Sequence, residues 1–163
     1  MCIRDRLTGT VGNWRGVSVS ATGQYQTAIA NALGIFISSD YGATFVEAAG
    51  TLSITWESVS VSATGQYQTA GDAGAIHISS DYGVTWAVAA GTSGLIWNSV
   101  SVSATGQYQA AVVQSSGTIY TSSNYGATWA AAAGTSGLSW VSVSVSATGQ
   151  YQTAAADIDG AYT

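Results

Sequence analysis

"SSDYGVTW", residues 79–86, has two near-copies in the same chain: SSDYGATF at 38–45 and SSNYGATW at 122–129. A second string, SVSATGQYQ, occurs four times, starting at Ser18, Ser60, Ser101 and Ser144. Its tyrosines fall at Tyr25, Tyr67, Tyr108 and Tyr151, in steps of 42, 41 and 43 residues. A tryptophan keeps the same beat at Trp14, Trp56, Trp97 and Trp140. Self-similarity at a fixed period of about 42 residues signals stacked supersecondary units. The chain holds three complete units and a truncated fourth.

Within one unit the strand signals are short and regular. Residues 56–63, WESVSVSA, alternate Val with Ser at a period of two. Thr64-Gly65 turns the chain, QYQTA at 66–70 reads as a second strand, and GDAG at 71–74 turns it again. AIHISS at 75–80 is a third strand rich in β-branched residues. Asp81-Tyr82-Gly83 makes a third turn, and TWAVAA at 85–90 a fourth strand. Neither face of the first strand carries charge, as expected of a sheet covered on both sides by neighbours. The spacing therefore predicts an all-β, β-propeller-type array of four-stranded antiparallel blades. The blades span about 14–49, 56–90, 97–133 and 140–163, the last truncated. Six to eight such units would need roughly 250–340 residues. The expectation is thus an open partial propeller, three blades and a hairpin, drawn from a larger protein. Its end blades would expose apolar faces, so the isolated chain is expected to self-associate.

Composition narrows the function classes. The chain is 47% hydrophobic and only 7% charged, against about a quarter charged in typical chains. No apolar run reaches the roughly 18 residues of a spanning helix, so no membrane insertion is expected. Residues 1–6, MCIRDR, fit nothing in the repeat. Their back-translation resembles the end of a transposon-based sequencing adapter, and they read as a processing scar. The single Cys, Cys2, lies there, so residues 7–163 offer no disulfide or thiolate. Arg15 is then the only arginine left beside seven carboxylates. Nucleic acid is not an expected partner, because phosphate binding needs clustered cations.

The octet has a physical reading of its own. Ser38, Ser79 and Ser122 end a strand. Asp40, Asp81 and Asn124 can accept hydrogen bonds from their own turn. Gly42, Gly83 and Gly126 can supply a positive φ. Thr44, Thr85 and Thr128 start the return strand, and Phe45, Trp86 and Trp129 place a ring beneath the turn. Asn124 in place of Asp suits a turn and does not suit a catalytic or metal-binding carboxylate.

This S-x-D-x-G-x-T-W pattern resembles the Asp-box, or BNR, repeat of sialidases, of the sortilin receptor domain and of photosystem II assembly factors. The resemblance runs from Trp14 to the end of the chain. It implies a propeller with the octets at the periphery, away from any active site. Near-identical repeats, low charge and small residues favour an extracellular, cell-surface or virion-associated setting. Sialidase-like glycosidases use an arginine cluster, a Tyr–Glu nucleophile pair and an acid–base Asp. Glu47 and Glu57 have no evident tyrosine partner, so such a site would lie outside this chain. The assembly factors use arginine-rich surfaces, which are missing here. The expected role is therefore a non-catalytic recognition or structural scaffold with no catalytic residues, cofactor or metal.

A meander puts the first-to-second turn and the octet on one rim. The opposite rim carries loops that differ between units: 30–34, 71–74, 113–117 and 156–160. Asp72, Asp157 and Asp159 lie in these loops as candidate ligand contacts. Their spacing lacks the oxygen set of a calcium loop. Tyr41, Tyr82 and Tyr125, at the octet tips, are the candidate exposed rings for a glycan or protein partner. His77 shares its strand position with Phe36 and Tyr120 and reads as a packed ring.

Overall fold

The computed structural model describes residues 12–114, 117–157 and 160–162. Met1–Arg6 and Asp159 lie outside them. Four antiparallel sheets follow one another along the chain, each in simple meander order. The first holds β1 (Asn13–Val19), β2 (Gln26–Asn31), β3 (Gly34–Ser38) and β4 (Val46–Glu47). The second holds β5 (Trp56–Val61), β6 (Gln68–Asp72), β7 (Ile76–Ser79) and β8 (Ala87–Val88). The third holds β9 (Trp97–Val102), β10 (Gln109–Val113), β11 (Ile119–Ser122) and β12 (Ala130–Ala131). The fourth holds β13 (Trp140–Val145), β14 (Gln152–Ala156) and β15 (Gly160–Tyr162). The sheets stack as the blades of an open β-propeller.

One expectation about the strands is corrected. The outermost strand is far shorter than the TWAVAA run, only Ala87–Val88 in the second blade, and both residues are exposed. It pairs on one side only, through His77↔Val88 and Ile78↔Ala87, so nothing beyond it extends the ladder. The fourth blade is partial, as expected of the truncated last unit. β15 adds to β14 in register, Ala154↔Tyr162 through Ala156↔Gly160.

The core lies between blades rather than inside one. Ile29, Ile35 and Ala48 of the first blade pack on Trp56, Val59 and Ala70 of the second. Ile76 and Ala89 pack on Trp97, Val100 and Ala111. Ala110 and Val112 pack on Trp140, Val143 and Ala154. Fully burying one such Val or Ile side chain stabilises by about 1.5–3 kcal/mol, so each junction is a substantial source of stability. The tryptophans are the largest fully buried side chains. A register shift between Trp56 and Ser58 re-aims the first of these rings. Each indole then donates to the preceding loop: Trp56 Nε1 to Thr51 O at 3.0 Å, Trp97 to Thr92 O at 3.0 Å and Trp140 to Thr135 O at 2.9 Å.

Serines of the first strands stitch successive blades. The Ser18 hydroxyl accepts from Val61 N–H at 3.0 Å, and Ser58 and Ser60 accept from Val100 and Val102 N–H at 3.1 Å. Ser99 and Ser101 accept from Val143 and Val145 N–H at 3.3 and 3.0 Å. The Val–Ser alternation thus does two jobs. Val packs on the preceding blade, and Ser satisfies backbone donors of the following one, which would otherwise be costly to bury.

Candidate functional site

The octets shape one rim. Each begins where a third strand ends and turns the chain through two successive left-handed residues. Tyr41, Tyr82 and Tyr125 have φ of 64°, 65° and 62°, and the glycines after them 85°, 86° and 81°. The Ala43 N–H reaches Asp40 O at 3.3 Å and the Val84 N–H reaches Asp81 O at 3.4 Å. These are the marks of a type I′ turn. A tyrosine with positive φ is an outlier held by its surroundings.

The clamp that holds it is visible atom by atom. The Ser79 hydroxyl accepts from Gly83 N–H at 2.9 Å and donates to Asp81 Oδ1 at 2.8 Å. Asp81 Oδ1 also accepts from Thr85 N–H at 2.9 Å, and Oδ2 accepts the Thr85 hydroxyl at 2.6 Å. Ser38, Asp40, Gly42 and Thr44 repeat the same bonds. Ser122, Asn124, Gly126 and Thr128 repeat them with one change: Asn124 Nδ2 donates to Thr128 Oγ1 at 2.9 Å. Trp86 and Trp129 donate to Gly83 O and Gly126 O, both at 2.9 Å; Phe45 has no such donor.

Electrostatics follow from these bonds. The Thr44 hydroxyl, then the Thr44 N–H and the Ser38 hydroxyl, hold the Asp40 carboxyl down at a pKa of about 2. Burial raises Asp81, but the Thr85 hydroxyl and N–H and the Ser79 hydroxyl outweigh it, and its pKa is lowered overall. Both oxygens of each carboxylate are engaged within the turn. Acceptors fixed in this way fasten the turn.

The turn also reaches the preceding blade. A Cβ on Gly83 would lie 2.7 Å from Ile37 Cγ2 and 2.9 Å from Gln68 Oε1. The Tyr82 ring lies 4.5 Å from that of Tyr25, and Tyr125 lies 4.5 Å from Tyr67. The rim therefore carries aromatic pairs that bridge successive blades, and the octet rings remain exposed. A cleft of about 400 Å³ opens between Tyr108, Trp129, Gly149 and Gln152.

On the opposite rim Asp72 is buried. Its Oδ1 accepts from Gly74 and Ala75 N–H, and its Oδ2 lies 2.8 Å from His77 Nε2. The His77 ring packs edge-on against Trp56 at 4.8 Å. The Trp97–Tyr120 contact repeats this edge-on geometry at 5.1 Å, and Trp14–Phe36 is a tilted contact at 5.3 Å, so His77 is a packed ring. Asp157 is exposed, and its N–H donates to Ser139 O at 2.9 Å. The two candidates Asp72 and Asp157 sit on different blades. Arg15 faces Glu57 across the first junction at 3.6 Å.

Sequence reasoning missed two features of the octet rim. The left-handed tyrosines carry no local signal beyond the glycine that follows. The pairing of Tyr25 with Tyr82 spans two blades, and only the repeat length could have placed them together.

No family model matches the chain, and no curated protein matches it. Solved structures do. The GH74 xyloglucanase of Xanthomonas campestris is similar over 88% of this chain and 27% of its own, at 16% identity and a TM-score of 0.68. The structure "YCF48 bound to D1 peptide" is similar over 90% of this chain and 47% of its own, at 15% identity and a TM-score of 0.65. A chain of a nidogen/laminin complex is similar over 92% and 58%, at 12% identity and a TM-score of 0.67. These likenesses show a β-propeller fold. The chain spans about a quarter to three-fifths of the length of the proteins it resembles.

Proposed function

We propose that this chain is a segment of an Asp-box (BNR) β-propeller that works as a non-catalytic recognition scaffold in a larger protein, and that its octet rim contacts glycan. One observation carries the reading. Each octet spends its acidic or amide side chain on its own turn and uses the turn to present a tyrosine ring. Tyr41, Tyr82 and Tyr125 are all exposed, and each is forced into a left-handed backbone that a bulky residue otherwise avoids. Exposed tyrosine faces suit the apolar face of a sugar ring, with the hydroxyl left for hydrogen bonding.

A sialidase-like glycosidase with its catalytic residues elsewhere is the competing reading. Its arginine cluster would then lie in other blades, since among the described residues Arg15 stands alone and faces Glu57. The test is a glycan-panel binding measurement with a parallel hydrolysis assay on aryl-glycoside reporters. The scaffold reading expects binding without turnover, abolished in a Tyr41→Ala/Tyr82→Ala/Tyr125→Ala variant that keeps its β-sheet spectrum. Turnover by the chain, or binding that survives the triple variant, would overturn it.

A further inference from the structure

Two tyrosine pairs cross internal blade junctions on the octet rim. The Tyr25 and Tyr82 rings lie 4.5 Å apart with their planes at 31°, and the Tyr67 and Tyr125 rings 4.5 Å apart at 35°. These distances stand at the short end of the range for aromatic contacts, and the small angles turn the rings of each pair face toward face. The arrangement is built by one turn at each junction. The Tyr25 ring rests on Gly65, where an added Cβ would lie 2.5 Å from Tyr25 Cδ2, and Tyr67 rests on Gly106, where it would lie 2.5 Å from Tyr67 Cβ. The next residues, Gln66 and Gln107, accept the Tyr82 and Tyr125 N–H groups at 3.1 Å. The same turn therefore seats one ring and anchors the backbone of the other, while the octet clamp fixes the left-handed φ of the second tyrosine.

The surroundings of the pairs suit radical chemistry at the phenols. Tyr82 and Tyr125 are exposed, and Tyr25 and Tyr67 are partly exposed, so oxidant reaches both pairs from the rim. Cysteine and methionine are common sites of oxidation. They occur once each, at Cys2 and Met1, and nowhere in the repeats. The repeats therefore offer an oxidant aromatic rings and no sulfur.

We propose that Tyr25 with Tyr82, and Tyr67 with Tyr125, are sites of oxidative tyrosine cross-linking that staples each blade to the next. The oxidant is hydrogen peroxide used by a haem peroxidase. Each phenol gives up one electron and one proton, and the two phenoxyl radicals join through a carbon ortho to each hydroxyl. The hydrogen on each joined carbon then moves to its ring oxygen, which restores both phenols. Each link thus removes two hydrogen atoms from the protein and reduces one peroxide to two waters. The linked residues stand more than one repeat apart in the chain. The bond therefore closes a long loop and restrains the unfolded chain as a disulfide does, in repeats that have no cysteine to form one.

The test treats the full chain, in dilute solution, with hydrogen peroxide and a haem peroxidase, and maps a peptic digest by mass spectrometry. The expected products are two links within one chain, Tyr25–Tyr82 and Tyr67–Tyr125, each lighter by two hydrogen atoms, with dityrosine fluorescence and a raised melting temperature. Tyr41, Tyr108 and Tyr151 pair with no ring among the described residues and serve as the internal reference. Tyr25→Phe/Tyr67→Phe keeps every ring and removes one phenol from each pair. That variant is expected to fold as the parent does by circular dichroism, and to lose both links and the gain in melting temperature. Tyr25→Phe alone is expected to lose only the first link. Links formed mainly through Tyr41, Tyr108 or Tyr151, links mainly between chains, or tryptophan oxidation without tyrosine links would overturn the proposal. So would a raised melting temperature that persists in the double variant.

Discussion

Replacing Thr69 with Val isolates the polar link between the second and third blades. The Thr69 hydroxyl donates to Gln109 Oε1 at 2.7 Å, and both residues are at most 1% exposed. Valine matches threonine in shape, so the change removes the donor and leaves packing nearly unaltered. Gln109 Nε2 stays bound to Gly106 O at 3.0 Å, which holds the amide in place and keeps Oε1 facing the lost hydroxyl. A buried acceptor without a donor costs about 1–3 kcal/mol. In a chain of this size each kcal/mol lowers the melting temperature by about 2–4 °C, so the expected drop is about 2–12 °C. The assay is a thermal melt at one fixed protein concentration, because association would otherwise move the midpoint. A urea melt should show a lower midpoint with an unchanged slope. The third junction supplies a comparison within the chain: Ala110 stands at the threonine position, and the facing Gln152 is only partly buried and open to water. A Thr69→Val variant that melts within about 1 °C of the parent would refute the reasoning, by showing that this bond adds nothing net to the junction.

Further outcomes follow from the octets. Gly83→Ala combines a φ of +86° with a Cβ that would lie 2.7 Å from Ile37 Cγ2; overpacking of this kind costs about 1–3 kcal/mol, and the variant should melt well below the parent. The Asp40 carboxyl, lowered from 3.8 to about 2, gives the first turn a stabilisation that is present in full above the ordinary carboxyl range and lost as pH falls from about 3.8 toward 2. Asn124 does not titrate. Amide spectra should therefore show the turn at 38–45 loosening in that window and the turn at 122–129 unchanged, and a simultaneous loss of both turns would contradict the assignment.

The repeat and its strands were legible because period, turn residues and β-branched runs are local signals. The octet clamp was legible for the same reason: Ser, Asp, Gly and Thr lie within seven residues of one another. What escaped a local reading lies between blades. Ser58 and Ser60 find their donors 42 residues later in the chain, and Thr27 finds Gln68 41 residues later. The short outer strands escaped because TWAVAA has the composition of a longer strand, whereas only Ala87 and Val88 pair with β7 and Ala90 instead bridges to Thr128 of the next blade. The tyrosine φ values escaped because bulky residues avoid the left-handed region and only the completed clamp compels it.

The most direct measurement of the central claim is the double substitution Asp40→Asn/Asp81→Asn. The third octet already carries Asn124 and makes the same turn bonds. If the octet carboxylates are fasteners, the variant keeps its β-sheet spectrum, melts within a few degrees of the parent at neutral pH and binds whatever the parent binds. A variant that stays folded yet loses ligand binding or a hydrolytic activity of the parent would show that the carboxylates do chemistry, and the scaffold account would be contradicted.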